Sequence, residues 1–261
     1  MGTITKALNL LNYFSVAKPE IGLTEFKRMS GQDKATVYRH LSELEENGFL
    51  EQNPQTRNYR LGAAILRLAN VREHTFPARK AVAPIVRAMS EELGELVHVS
   101  LLQGNIMSPL YHADVAIHGT RVYFDAAEML PLHATSSGLA MLAFGPDNLL
   151  REVTEKPVRS FTDKTITDPD ALHRHVEMAR VRGYSTSDEG FESDVFSFAV
   201  PIFDSDSRAT GTLAVALPCA RATDEMRDRI VTALKSGGVA VSRALGGAAP
   251  KEIERLWHDA A

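Results

Sequence analysis

The chain has one cysteine, Cys219, in 261 residues. That excludes an internal disulfide and any multi-cysteine zinc site, and it fits a reducing compartment. Long apolar runs are also missing: none approaches the roughly 20 residues that a membrane helix needs. No basic-then-apolar signal pattern opens the chain, so a cytoplasmic protein with no membrane partner is expected. Catalytic signatures are equally scarce, with no GxSxG elbow, no phosphate-cradling glycine loop and no HExxH. An enzyme would have to use Asp188 and Glu189 with His173 and His175, or Ser136 or Ser137 at a helix start. His173 and His175 stand two apart on a helix and so point to different faces. No catalysis is expected.

A metal site has slightly more to recommend it. His112 and Asp114 alternate onto one strand face, His118 lies close in sequence, and His98 could join from the neighbouring strand. Histidines in a sheet are more often core or surface residues than ligands, so neither a metal nor a cofactor is expected.

Net positive charge is absent too, at −4 overall. It is nevertheless unevenly spread. Residues 1–76 hold ten Lys and Arg against eight Asp and Glu, whereas the rest hold nineteen against twenty-five. A mildly basic first part tied to an acidic larger part fits a polyanion partner for the first part alone.

What the sequence does contain is a run of short amphipathic elements. "TKALNLLNYFS" puts Ile4, Leu8 and Leu11 on one helical stripe and Ala7, Leu10 and Phe14 on the next. That arc suits either a deeply buried helix or one shared with a partner subunit. In "LTEFKRMSG", Thr24 is the expected N-cap and Gly31 the terminator. In "QDKATVYRHLSELEENG", Asp33 caps, Gly48 stops, and Val37, Leu41 and Leu44 form the buried stripe. The opposite face carries Ala35, Arg39 and Ser42, flanked by Lys34, Thr36 and Tyr38.

"FLEQNPQTRNYRL" follows as a hairpin with Leu50, Tyr59 and Leu61 inward and Arg57, Asn58 and Arg60 at or near its tip. Three helices and a hairpin in about sixty residues describe a winged helix-turn-helix. Such a unit sets the start of one helix in the DNA major groove and rests its hairpin on phosphates or the minor groove. Arg39 is the expected guanine reader and Ala35 a thymine-methyl contact, with Lys34, Arg57 and Arg60 on phosphates.

"AAILRLANVREH" is apolar around most of its circumference and reads as a linker helix covered by another subunit. Beyond it, the remainder is α/β: a helix, then strands "ELVHVSLLQGN", "IMSPLYHADV" and "TRVYFDAA". Three helices from "TSSGLAMLAF" to "DPDALHRHVEMARVRG", strands "VFSFAVPIFD" and "ATGTLAVALP", and the closing helix "ATDEMRDRIVTALKSGGVAVSRAL" follow. The expectation is a mixed sheet layered with helices.

"ALNLLNYFS", "GLTEFKRMSGQDKATVYRHLSELEENGFLEQ", "YRLG", "LPLHATSSGLAMLA" and "RGYSTSDEGFESDVFSFAVPIFD" together resemble the IclR family of bacterial transcription regulators. The resemblance implies an α+β protein with a winged helix-turn-helix domain at 1–62, a linker helix at 63–77 and a GAF-like effector-binding domain at 78–261. It also implies a homodimer or dimer of dimers on double-stranded operator DNA, controlled by a small organic acid.

The family's effector pocket would fall on Leu130, Thr135, Ser136, Ser137, Gly138, Ser187, Asp188, Ser197, Ala214 and Ala216. Small residues at a helix start leave amides free for a carboxylate, although Thr135 or Ser136 could equally serve as a plain cap. Two departures bear on the ligand. Many members have an arginine and a cysteine where this chain has Phe196 and Ser197, and small-acid sensors tend to have hydroxyls at the positions of Ala214 and Ala216. An acid with a sizeable hydrocarbon or aromatic part is therefore expected, rather than glyoxylate or pyruvate. The alternatives are an enzyme that processes a small molecule and carries an accessory DNA-binding-like domain, and a DNA binder with a collapsed pocket and no effector.

Overall fold

The computed structural model describes residues 2–258 and divides the chain into two compact units, 1–77 and 78–261. The first unit opens with α1 (Thr3–Leu11), α2 (Leu23–Ser30) and α3 (Lys34–Glu46). The two-stranded wing of β1 (Leu50–Gln52) and β2 (Tyr59–Leu61) comes next, and α4 (Ala63–Thr75) completes the unit. Leu10, Phe14, Ile21, Phe26, Val37, Leu41, Leu44, Leu50 and Tyr59 form its core. Phe26 sits at the centre, meeting Phe14 edge-on at 5.6 Å and both Tyr13 and Tyr59 at 6.3 Å. Such T-shaped contacts suit aromatic quadrupoles and give a small core extra definition.

Local chemistry sets the helix ends. The Asp33 carboxylate accepts from the Thr36 amide at 2.9 Å and from the Thr36 hydroxyl at 2.7 Å, and these bonds hold its pKa below the ordinary carboxylate value. Gly31 ends α2 in the left-handed region at φ 66, where only glycine sits without strain. Thr24 is not the N-cap of α2. Gly22 occupies that position without a side-chain bond, and its carbonyl accepts the Glu25 and Phe26 amides, each at 3.0 Å. Leu61 is not inward either: the three-residue strand ends with it, leaving it 45 % exposed beyond Leu50 and Tyr59.

The second unit is a six-stranded antiparallel sheet in the order β5-β4-β3-β8-β7-β6. Its strands are β3 (Leu96–Gln103), β4 (Ile106–Ala113), β5 (Leu130–Pro131), β6 (Ser185–Asp188), β7 (Val195–Phe203) and β8 (Ala209–Pro218). Helices α5 (Ala78–Leu93) and α9 (Asp224–Ala244) cover one face; α6 (Ser136–Phe144), backed by α8 (Pro169–Arg182), covers the other. Alternation along β7 and β8 separates the two layers. Val200 and Leu213 lie under Gly238 and Gly237 of α9, while Ala199 and Ala214 pack with Ala140 of α6. Gly138 marks the tightest approach, since a Cβ there would lie 2.3 Å from the Cα of Leu132. Between α6 and α8 runs α7 (Asn148–Thr154).

The expected strand "TRVYFDAA" is absent. Side chains capture the backbone instead: Asp125 accepts the Ala127 amide at 2.8 Å and Asp114 accepts that of Ala116 at 2.9 Å, a local competition that disfavours ladder pairing. In compensation, the polar segment Ser185–Asp188 pairs as an edge strand because its inward hydroxyls are satisfied. Ser185 donates to the Ser136 carbonyl at 2.6 Å and Ser187 to that of Ala134 at 2.8 Å. Nor is α9 the last helix. In α10 (Lys251–His258), the buried Trp257 donates its indole N–H to the Gly183 carbonyl at 2.8 Å.

Candidate DNA-reading face and effector cavity

Lys34, Ala35, Tyr38 and Arg39 are exposed at the start of α3, and among the described residues none of the charged ones is engaged in an ion pair. The start of a helix with unpaired cations and a methyl group is a surface suited to base edges and phosphates. Thr36 is only partly exposed, its hydroxyl spent on the cap, and Ser42 is half-buried. At the wing tip Arg57 is exposed with its backbone at φ 60. Asn58 is half-buried, its side chain so close to the Gly22 backbone that a Cβ there would meet Asn58 Oδ1 at 2.9 Å. Arg60 pairs with its cross-strand neighbour Glu51 at 2.5 Å, so a phosphate would have to displace that carboxylate. His40, which the sequence pattern left out, lies buried in α3, and neither ring nitrogen has a partner. Its signal was its spacing, three after Val37 and four before Leu44 on the buried stripe.

In the second unit a narrow cavity of about 70 Å³, partly open to solvent, lies between the start of α6 and the sheet. One cross-strand row of its sheet wall is Leu96, Ala216, Ser197 and Ser187, opposite one another on β3, β8, β7 and β6. Leu130, Thr135, Ser136 and Ser137 also line it.

Gly138, Asp188 and Ala214 do not. Gly138 is pressed against Leu132, and Ala214 belongs to the row that α6 covers. Asp188 turns to Lys164, whose ammonium also bonds Glu189. Thr135 is the side-chain cap of α6, accepting the Gly138 amide at 3.0 Å. The preceding amides of Ser136 and Ser137 have no intrahelical acceptor by geometry, which leaves them to the cavity. The Ser137 hydroxyl is buried and has no partner.

Several lining residues had no sequence signal of their own, among them Phe124, Glu128, Phe191 and Glu192. His98 lines the cavity as well, in β3 opposite His112 of β4. Both imidazoles pack against Phe124, at 4.7 and 5.0 Å. Full burial pushes the His98 pKa down to about 3, with a small contribution from His112; burial lowers that of His112 as well. Asp114 accepts from Arg121 at 3.0 Å and His118 stands 4.0 Å from Glu95. Among the described residues, the cluster with metal-ligand spacing is Asp188, Glu189 and Cys219, where the Lys164 ammonium already supplies a cation. Phe196 is not among the lining residues and lies under the Arg227 guanidinium at 4.5 Å.

A winged helix with an exposed reading face, followed by an α/β unit holding a polar-floored cavity, defines a ligand-responsive transcription regulator. The comparisons with known proteins agree. The IclR helix-turn-helix domain matches residues 3–54, and the C-terminal domain of bacterial IclR transcriptional regulators matches residues 73–243. The chain belongs to the IclR family.

An IclR regulator of Silicibacter sp. TM1040 is 43 % identical to it, covering 96 % of this chain and 99 % of that one, with a TM-score of 0.87. The regulator XynR of Escherichia coli is 26 % identical over 94 % of this chain and 97 % of its own length. An IclR homologue from Microbacterium hydrocarbonoxydans, solved in complex with 4-hydroxybenzoate, shares the fold at a TM-score of 0.72 and 24 % identity, covering 94 % of this chain and 99 % of that one. Among the described residues no helix is long and apolar enough to cross a membrane.

Proposed function

We propose that this regulator is an operator-binding switch in the cytoplasm, whose DNA affinity is set by a small carboxylate-bearing effector with an apolar part. The observation that carries the reading is the floor of the cavity. Two amides at a helix start and the unpartnered Ser137 hydroxyl belong to residues that line it together, a set of donors that suits one anionic group. The walls, with Phe124, Phe191, Val195 and Leu130, suit hydrocarbon. The 4-hydroxybenzoate held by the Microbacterium relative is a molecule of that description.

In the first unit, Lys34, Ala35, Tyr38 and Arg39 read the major groove, while Arg57 and, once freed from Glu51, Arg60 hold phosphates. Thr36, Ser42 and Asn58 position the reading helix and the wing. Two copies bind a partly palindromic operator. Ile4 on α1 and Leu66, Val71 and Phe76 along α4 and its end are all more than half exposed, an apolar surface that a second subunit would cover.

The test combines thermal shift with operator binding. A true effector raises the melting temperature through linkage and changes operator affinity. Ser137→Leu, which fills the floor, is expected to abolish both responses and leave DNA binding without effector intact. An effector response that survives Ser137→Leu would place the sensing site elsewhere.

A further inference from the structure

The charges around the cavity are lopsided. Asp125, Glu128 and Glu192 are among its lining residues, and among the described residues no lysine or arginine is. Glu128 and Glu192 are exposed to solvent and mark the mouth of the cavity. Burial raises the pKa of the Glu128 carboxyl, and the Asp125 charge adds to it. Burial likewise raises that of Glu192, with the Glu128 charge adding. These carboxylates therefore repel one another, and a cation seated between them would relieve the repulsion. A bare carboxylate would have to pass its own sign at these side chains before reaching the start of α6.

The floor has the opposite polarity. There the Ser136 and Ser137 amides stand at the positive end of α6, beside the Ser137 hydroxyl, which is 1 % exposed and has no partner. The same cavity is lined by the Phe124 and Phe191 rings, whose faces tolerate a cation, and by His98, which is neutral at physiological pH.

We propose that the effector is a zwitterion, an amino acid or betaine, with its carboxylate on the α6 amides and Ser137 and its ammonium at Glu128 and Glu192. This rests on the effector-site reading above and adds a second, positive charge to the ligand. An acid without a cationic group satisfies the floor and leaves the mouth repulsive.

The test uses two ligand pairs that differ in that charge: L-phenylalanine against 3-phenylpropanoate, and glycine betaine against 3,3-dimethylbutanoate. In calorimetry on the full chain, the zwitterion of at least one pair is expected to bind about tenfold more tightly than its anion. In Glu128→Gln/Glu192→Gln that ratio falls to about two or less and the anion gains affinity. Both substitutions lie at the mouth, outside the core, so the variant is expected to fold normally. If the anion binds as tightly as its zwitterion, if the preference persists in the double variant, or if no zwitterion binds, the charge assignment is overturned. If the probes bind equally well to Ser137→Leu, the cavity is not the sensing site and the underlying reading falls as well.

Discussion

His98 ties the stability of the second unit to pH. It is a base whose folded-state pKa, about 3, lies well below its ordinary value of 6.5 because the imidazole is wholly buried. The unfolded chain therefore takes up a proton below pH 6.5 that the folded chain refuses, and stability falls as pH falls through that window. Each fall of one in pH inside that window removes about 1.4 kcal/mol. From neutral pH to pH 5 the loss through this residue alone is about 2 kcal/mol, rising to about 4 kcal/mol by pH 3, where the folded imidazole begins to take up its own proton. Against a total stability of about 5 to 15 kcal/mol for a domain, that is a large fraction.

Trp257, the one tryptophan, is buried in the second unit and reports its unfolding. Urea melts followed by its fluorescence at pH 7.5, 6 and 5 would be compared between the native chain and His98→Gln. Acidic groups and the other buried histidines contribute equally to both, so the difference isolates His98. The difference is expected to shrink or reverse by about 2 kcal/mol between pH 7.5 and pH 5. If it is flat with pH, the imidazole is not held neutral by burial and the reasoning fails.

Two further outcomes follow from geometry. Arg39→Ala should cost operator binding about 1 to 3 kcal/mol and relax preference at one base position, whereas Arg57→Ala should weaken all sequences alike and lower the salt dependence. Competition binding on an operator library separates the two, and unchanged preference in Arg39→Ala would refute its reading role. Glu95, 3 % exposed, is held by Arg221 through two bonds of 2.5 and 2.7 Å. Arg221→Ala strands that carboxylate and should cost about 3 to 5 kcal/mol, while Glu95→Leu/Arg221→Met should cost much less. Denaturant melts decide it, and a double variant as unstable as Arg221→Ala would contradict the desolvation argument.

The reading helix was legible because its signals are local. Asp33, Gly48 and the Val37, Leu41, Leu44 spacing sit within one helix, and each carries its own physics. The cavity was half legible. Leu130, Thr135, Ser136 and Ser137 come from one contiguous segment, but the sheet wall is a row across four strands that only pairing assembles. That is why Ala214 and Ala216, two apart on one face, received the same role although α6 covers one and not the other. Glu128, Phe191 and Glu192 sit in irregular segments, where no period marks what faces inward. The strand Ser185–Asp188 escaped for a different reason: its buried positions are serines satisfied by distant carbonyls, so hydropathy gives no sign of burial.

The alternation along β7 and β8 gives the two faces of the sheet separate histories. Val200 and Leu213 answer to α9 and to folding, while Ser197 and Ala216 answer to whatever enters the cavity. If the cavity is the effector site proposed above, a substitution at Ser197 or Ala216 alters what it accepts without loosening the packing one pleat away. One ligand could then give way to another beneath the same operator-binding output.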